Sequence, residues 1–221
     1  MRCRFVVVII GLLFLFISVG ISDAVATKTV LLTGFEPFGA YPTNPSQVIV
    51  ETLNGSSIAD AVIISIVLPV NFTLSVEKAR EAIEVYHPDV VMSLGLNVKA
   101  DGIEVEKVGI NLKRYPLGDG RWSFPRFIEK RSPLFRITSL PTKEIALKIQ
   151  EAGVPAQQSY FAGTYICNAL FYGLLGYVKE QNLNCSIGFL HVPLLDIQDP
   201  QGMALEHMVD AVKIAIQESL G

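Results

Sequence analysis

Apolar positions along this chain follow two rhythms. Short continuous runs, Val30-Leu31-Leu32-Thr33 ending at Gly34, Ala61 to Val67, Asp89 to Leu94 and Ile187-Gly188-Phe189-Leu190, are bounded by turn-forming residues and read as buried strands. Between them the period changes to three and four. Val76, Ala79, Ile83 and Tyr86 share one helical face in a segment from about Thr73 to Tyr86, and His87-Pro88 ends it because helical geometry is disfavoured before proline. Further helices are predicted over Ser46–Leu53, from Pro141-Thr142 to Gly153, after Cys167 through Leu170, Phe171, Leu174, Leu175 and Val178, and through Leu205, Met208, Val209, Val212 and Ile216. Alternation of this kind predicts an α/β fold: a three-layer α/β/α sandwich with a central mixed, mostly parallel sheet.

The first 26 residues follow neither rhythm. Arg2 and Arg4 precede the uncharged apolar run Phe5 to Ile21, and Ala24-Val25-Ala26 has the small-x-small form of a cleavage site. The order is that of a secretory signal peptide, 1–26, removed after Ala26; an uncleaved membrane anchor is the alternative. A single domain is expected over 27–221, in a secreted or extracytoplasmic protein. Three Asn-x-Ser/Thr triplets, at Asn54, Asn71 and Asn184, then become candidate glycosylation sites, and a glycan on Asn184 is expected to crowd the chemistry that follows it in sequence. Once Cys3 leaves with the leader, Cys167 and Cys185 remain. That is no disulfide framework, although a bridge between the two would quench either thiol.

The formal charge of −3 is small and points to no strongly charged partner. Periodicity vanishes between Tyr115 and Leu140, where basic residues alternate with Trp122, Phe124, Phe127 and Phe135. Nucleic-acid binding can look like this, but a long surface loop, serving as a lid or an oligomer contact, is the better reading.

One cysteine and one histidine fall where α/β folds gather their chemistry. Cys167 opens a predicted helix, whose free N–H groups and dipole favour a thiolate. His191 follows a predicted strand and offers a base. His87 and His207 lie at a helix end and in an amphipathic helix, and no cluster with metal-ligand spacing is present in the sequence, so neither a metal nor a cofactor is expected.

Three motifs occur in order: Leu32-Thr33-Gly34-Phe35-Glu36-Pro37-Phe38-Gly39 with Asn44-Pro45-Ser46; Glu106-Lys107-Val108-Gly109-Ile110-Asn111; and Gly163-Thr164-Tyr165-Ile166-Cys167-Asn168 with Gly188-Phe189-Leu190-His191-Val192-Pro193. Together they resemble pyroglutamyl peptidase I, also called pyrrolidone carboxyl peptidase, over nearly all of 27–221. The resemblance implies a cysteine peptidase that removes an N-terminal 5-oxoproline from blocked peptides, with Cys167 as nucleophile, His191 as base, Glu106 as the acidic member and Phe35 and Phe38 gripping the ring. It also implies a homo-oligomer, dimer or tetramer. Many bacterial members carry Gln-Ala-Gly-Gly-Arg where this chain has Leu96-Asn97-Val98-Lys99-Ala100, so a polar residue near the lactam and an arginine are expected to be missing. Glu104 is the competing choice for the acid. A homologue that binds blocked N-termini without cleaving them is the competing function.

Overall fold

The computed structural model describes residues 28–221; the leader lies outside the described residues. In chain order the elements are β1 (Lys28–Phe35), α1 (Pro45–Leu53), β2 (Ser57–Ile58), β3 (Ala61–Leu68), α2 (Leu74–Tyr86), β4 (Val90–Leu96), β5 (Ile103–Glu106), β6 (Val108–Ile110), β7 (Phe135–Ile137), α3 (Thr142–Glu151), β8 (Ala156–Ser159), α4 (Ile166–Glu180), β9 (Ser186–Val192) and α5 (Leu205–Leu220). Seven strands form one sheet in the order β2-β3-β1-β4-β9-β5-β8. The strands β3, β1, β4 and β9 run parallel, β5 is antiparallel to β9, and β8 is parallel to β5. The expected three-layer, mostly parallel arrangement is present.

Strand alternation divides the core in two. Val30, Leu32, Met92, Leu94, Leu190 and Val192 face a layer that includes Ile49, Ile145 and Met208 of α1, α3 and α5. Leu31, Val91, Ile187 and Phe189 face the other way, toward Ala79 and Ile83 of α2 and Leu170, Phe171 and Leu174 of α4. By the same alternation Gly95, His191, Glu104 and Glu106 share the α2/α4 face, toward the carboxyl ends of the parallel strands. Each of the large side chains in these layers contributes roughly 1.5–3 kcal/mol on burial, which holds the strand ends in fixed register.

Helix boundaries follow the local chemistry. Asn44 caps α1 by accepting from the Ser46 N–H, and Pro45 occupies the first turn, where its missing N–H costs nothing. Helix α2 stops at His87, whose own φ is 45°, so the chain turns left-handed before Pro88 and not into extended geometry. Helix α3 ends just before Gly153, at φ 85°.

The aperiodic stretch is not a loose loop. Strands β6 and β7 pair antiparallel, and bridges at Lys113–Arg126 and Pro116–Trp122 carry the pairing outward as a ribbon. Alternation is lost because the ribbon has no continuous buried face. Arg136, grouped in the sequence with the loop cations, is instead held against the body. Its guanidinium donates to both oxygens of Glu129 at 2.6 and 3.0 Å and to the Tyr172 carbonyl at 2.9 Å, and it stacks 4.0 Å from the Tyr172 ring. Among the described residues no helix is long and apolar enough to cross a membrane.

Candidate active site

Strand β9 delivers His191 almost at its carboxyl end, with 6% of its surface exposed. Strand β5 runs alongside in the opposite sense and ends at Glu106, which is fully buried. The Nδ1 of His191 lies 2.8 Å from Glu106 Oε1. A carboxylate on Nδ1 fixes the ring's orientation and leaves the other nitrogen directed elsewhere.

A glycine in β4 brings the sulfur of Cys167 beside this ring. The register partner of His191 on β4 is Gly95. A Cβ at Gly95 would stand 2.7 Å from Cys167 Sγ and 2.9 Å from the Phe189 ring, so the space a side chain would fill is occupied by the thiol. Burial alone would lower the pKa of His191, but hydrogen bonding and charge from Cys167 and Glu106 outweigh it and raise the imidazole from 6.5 to about 10. A thiol beside an imidazole that a carboxylate orients has the arrangement of a nucleophile–base pair.

Cys167 is the second residue of α4. The residue before the helix, Tyr165, makes no side-chain cap, and the first turn carries no acidic residue. Thr164, one residue earlier, accepts from the Arg114 N–H through its carbonyl at 2.8 Å. The early N–H groups of α4 are therefore left without a capping side chain, beside the sulfur, where a developing oxyanion would form. Asn168, the next residue, is buried; its Oδ1 accepts from the Ile110 N–H at 2.8 Å and its Nδ2 donates to the carbonyls of Ile110 and Leu112. A polar side chain next to Cys167 on a predicted helix is the sequence signal that points to it.

The thiol opens onto a cavity of about 620 Å³. Phe35 and Phe38 line it, with Trp122 and Tyr165 among the other aromatic residues, and no Asp, Glu, Lys or Arg does so. The first motif explains how Phe35 gets there. A Cβ at Gly34 would come within 2.4 Å of the Ser46 carbonyl oxygen, so only glycine lets β1 pass this close to α1. Ser46 Oγ then accepts from the Phe35 N–H at 3.1 Å and Asn44 Nδ2 donates to the Glu36 carbonyl at 3.1 Å. Phe35 is also 97% buried in the core, so packing and cavity wall are one role (the exposed fraction is 3%). Pro116 and Trp122 bring the ribbon tip to the cavity, and Trp122 meets Tyr165 edge-on at 5.3 Å.

Three expectations change. Asn97 lines the cavity, so a polar residue is present in the altered segment after all. Cys167 and Cys185 are both free, and Cys185 precedes β9 whereas the sulfur of Cys167 packs against Gly95, the register partner of His191 near the other end of that strand; the six-residue step from 185 to 191 spans roughly 20 Å, too far for a bridge. Asn184 is exposed at that same distant edge, so a glycan there would not crowd the cavity; chain neighbourhood had suggested otherwise. Glu104, Glu106 and His191 offer ligand atoms within 4.8 Å of one another, but Glu106 and His191 are engaged with each other and Glu104 with Asn97.

A Cys/His/acid constellation at a sheet's carboxyl edge, opening on a cavity with no Asp, Glu, Lys or Arg in its lining, defines a thiol hydrolase. The family model described as pyroglutamyl peptidase matches residues 28–220, so the chain belongs to that family. A pyrrolidone-carboxylate peptidase of Bacillus amyloliquefaciens is 38% identical over 85% of this chain and 90% of its own length. One of Vibrio parahaemolyticus is 36% identical over 86% and 92%. The crystal structure of Bacillus amyloliquefaciens pyroglutamyl peptidase I superposes with a TM-score of 0.81 at 37% identity, covering 87% of this chain and 96% of that one. The pyrrolidone carboxyl peptidase of Thermococcus litoralis gives 0.80 at 32% identity, covering 87% and 93%.

Proposed function

We propose that this chain is a pyroglutamyl peptidase, hydrolysing the amide bond that follows an N-terminal 5-oxoproline. The observation that carries the reading is the His191 imidazole, bonded through Nδ1 to Glu106 and neighboured by the sulfur of Cys167 against Gly95, at the mouth of a cavity whose lining holds no carboxylate. A 5-oxoproline ring is a neutral lactam, and a cavity with no carboxylate in its lining suits it where an ordinary N-terminal ammonium would be left unpaired. Phe35 and Phe38 are its apolar grip.

Cys167 Sγ attacks the scissile carbonyl carbon, and the carbonyl electrons move to oxygen, which the early N–H groups of α4 stabilise. The tetrahedral adduct collapses as the C–N bond breaks, and the departing amine takes the proton from His191. A thioester on Cys167 remains. Water then attacks it, giving its proton to His191, and 5-oxoproline leaves as the thiolate returns. Glu106 acts on His191 Nδ1, orienting the ring and stabilising its charge, without taking the proton.

Turnover of a pyroglutamyl reporter amide under reducing conditions, with no turnover of the corresponding glutaminyl amide, tests this. Binding of pyroglutamyl peptides without turnover would favour the non-cleaving alternative, which no feature of the intact site supports.

Export is the finer part of the proposal. Arg2 and Arg4, the run from Phe5 to Ile21 and the Ala24-Val25-Ala26 triplet support removal of a leader after Ala26. Mass spectrometry of secreted protein is expected to find Thr27 at its N-terminus; cell-retained protein still beginning at Met1 would refute it. Exposed Phe124, Phe127, Phe135 and Ile137 on and beside the ribbon support self-association into a dimer or tetramer, which light scattering would read.

A further inference from the structure

Among the residues lining the cavity one side chain is a carboxamide, Asn97. It follows β4 directly, and its backbone is fixed at both groups: the N–H donates to the Val192 carbonyl and its own carbonyl accepts from the Ala100 N–H, each at 3.0 Å. The side chain is fixed as well. Oδ1 accepts from the Lys99 N–H at 3.1 Å, and Nδ2 donates to Glu104 Oε2 at 2.8 Å. A carboxylate accepts and cannot donate, so Glu104 determines which end of the amide is nitrogen. Each end of the carboxamide keeps one function unspent, an N–H on Nδ2 and a lone pair on Oδ1.

We propose that Asn97 is a specificity-determining residue that reads the amide edge of the lactam, and that Glu104 is the positioning residue that orients it. This rests on the pyroglutamyl reading above. A five-membered lactam holds its amide cis, so its N–H and C=O lie along one edge. A primary carboxamide presents the complement, one acceptor beside one donor, and two antiparallel hydrogen bonds result. Open-chain secondary amides are trans and put N–H and C=O on opposite sides, so they cannot satisfy both contacts. An unblocked N-terminus brings an ammonium, all donor. The same geometry accounts for the second carboxylate of β5. Glu104 is the register partner of His191, yet its oxygens turn to Asn97 and, at 3.4 Å, to Gln157, leaving Nδ1 to Glu106.

The experiment compares pyroglutamyl aminomethylcoumarin with its carbocyclic analogue, cyclopentanecarbonyl aminomethylcoumarin, as substrate or competitive inhibitor. Alkylation of Cys167 by iodoacetamide reports the thiol independently of any ring. Asn97→Ala and Asn97→Asp, the second nearly isosteric, are expected to lose roughly tenfold to a hundredfold in kcat/KM on the lactam, mainly through KM, as two hydrogen bonds imply. Affinity for the carbocycle and the alkylation rate should stay within about twofold. Glu104→Ala should follow Asn97→Ala, and Glu104→Gln, which keeps an acceptor, should restore most of the loss. An unchanged KM for the lactam in both Asn97 variants overturns the proposal. Equal losses on both rings, or slower alkylation in parallel, overturn it by showing a structural role. Wild-type protein whose Cys167 alkylates but which leaves the pyroglutamyl amide intact overturns the assigned reaction, and this inference with it.

Discussion

Two cysteines of similar partial burial stand at opposite ends of the same helix–strand pair, and their environments differ in kind. Cys185, before β9, meets desolvation and the charge of Asp89, and its thiol is pushed up to about 12. Cys167, in the first turn of α4, has an imidazole that its own sulfur and Glu106 keep protonated to about 10. Neither residue type nor exposure separates them. What does is the end of the sheet: the carboxyl edge gathers a helix N-terminus, a base and a cavity, whereas the amino edge offers apolar packing and an acid.

The largest test of that contrast is deletion of each sulfur. Cys167→Ala should lower turnover of a pyroglutamyl amide by at least about a thousandfold, as loss of a nucleophile does, and Cys185→Ala should leave kcat/KM within about twofold. Peptide mapping after brief iodoacetamide treatment near neutral pH should find the label on residue 167; label on 185 first would break the comparison. Gly95→Ala comes next. Its Cβ would fall 2.7 Å from the sulfur, so the thiol must shift, and a displacement near 1 Å costs on the order of a hundredfold in kcat. Thermal unfolding should show a modest loss, about 1–3 kcal/mol for overpacking.

The smallest effect concerns pH. Folding raises His191 above its ordinary 6.5 to about 10. Its contribution to stability is therefore complete below about pH 6.5 and is lost as pH climbs through about 10. Glu106→Gln removes one of the anions responsible. The alkaline limb of kcat/KM should move to lower pH in that variant, and the fall of the unfolding temperature between those two values should flatten. An alkaline limb that does not move would separate Glu106 from the titration of His191.

Strands β1, β3, β4 and β9 were legible as continuous apolar runs, and all five helices because each buries one periodic face, as Val76-Ala79-Ile83 does. Strands β5 and β8 were not. Ile103-Glu104-Val105-Glu106 alternates, but with two acids on the face that bears the site, so its pattern reads as polar until His191 is placed beside it. Glu106 was accordingly found through the family's motif and not through periodicity. The ribbon escaped for a related reason: its bridges lie between residues with no common buried face. Cys167 and His191 could be singled out by element ends alone, yet their convergence depends on Gly95, a residue whose contribution is an empty space. Asn97 could not be assigned from sequence, because the acid that orients it arrives from a different strand.

The chain carries one tryptophan, Trp122, and the ribbon holds it in the cavity wall against Tyr165. The enzyme thus contains its own optical gauge of occupancy. A ligand settling in the cavity displaces water from that indole, so emission colour and intensity should report binding in a variant that cannot turn over, without any label attached.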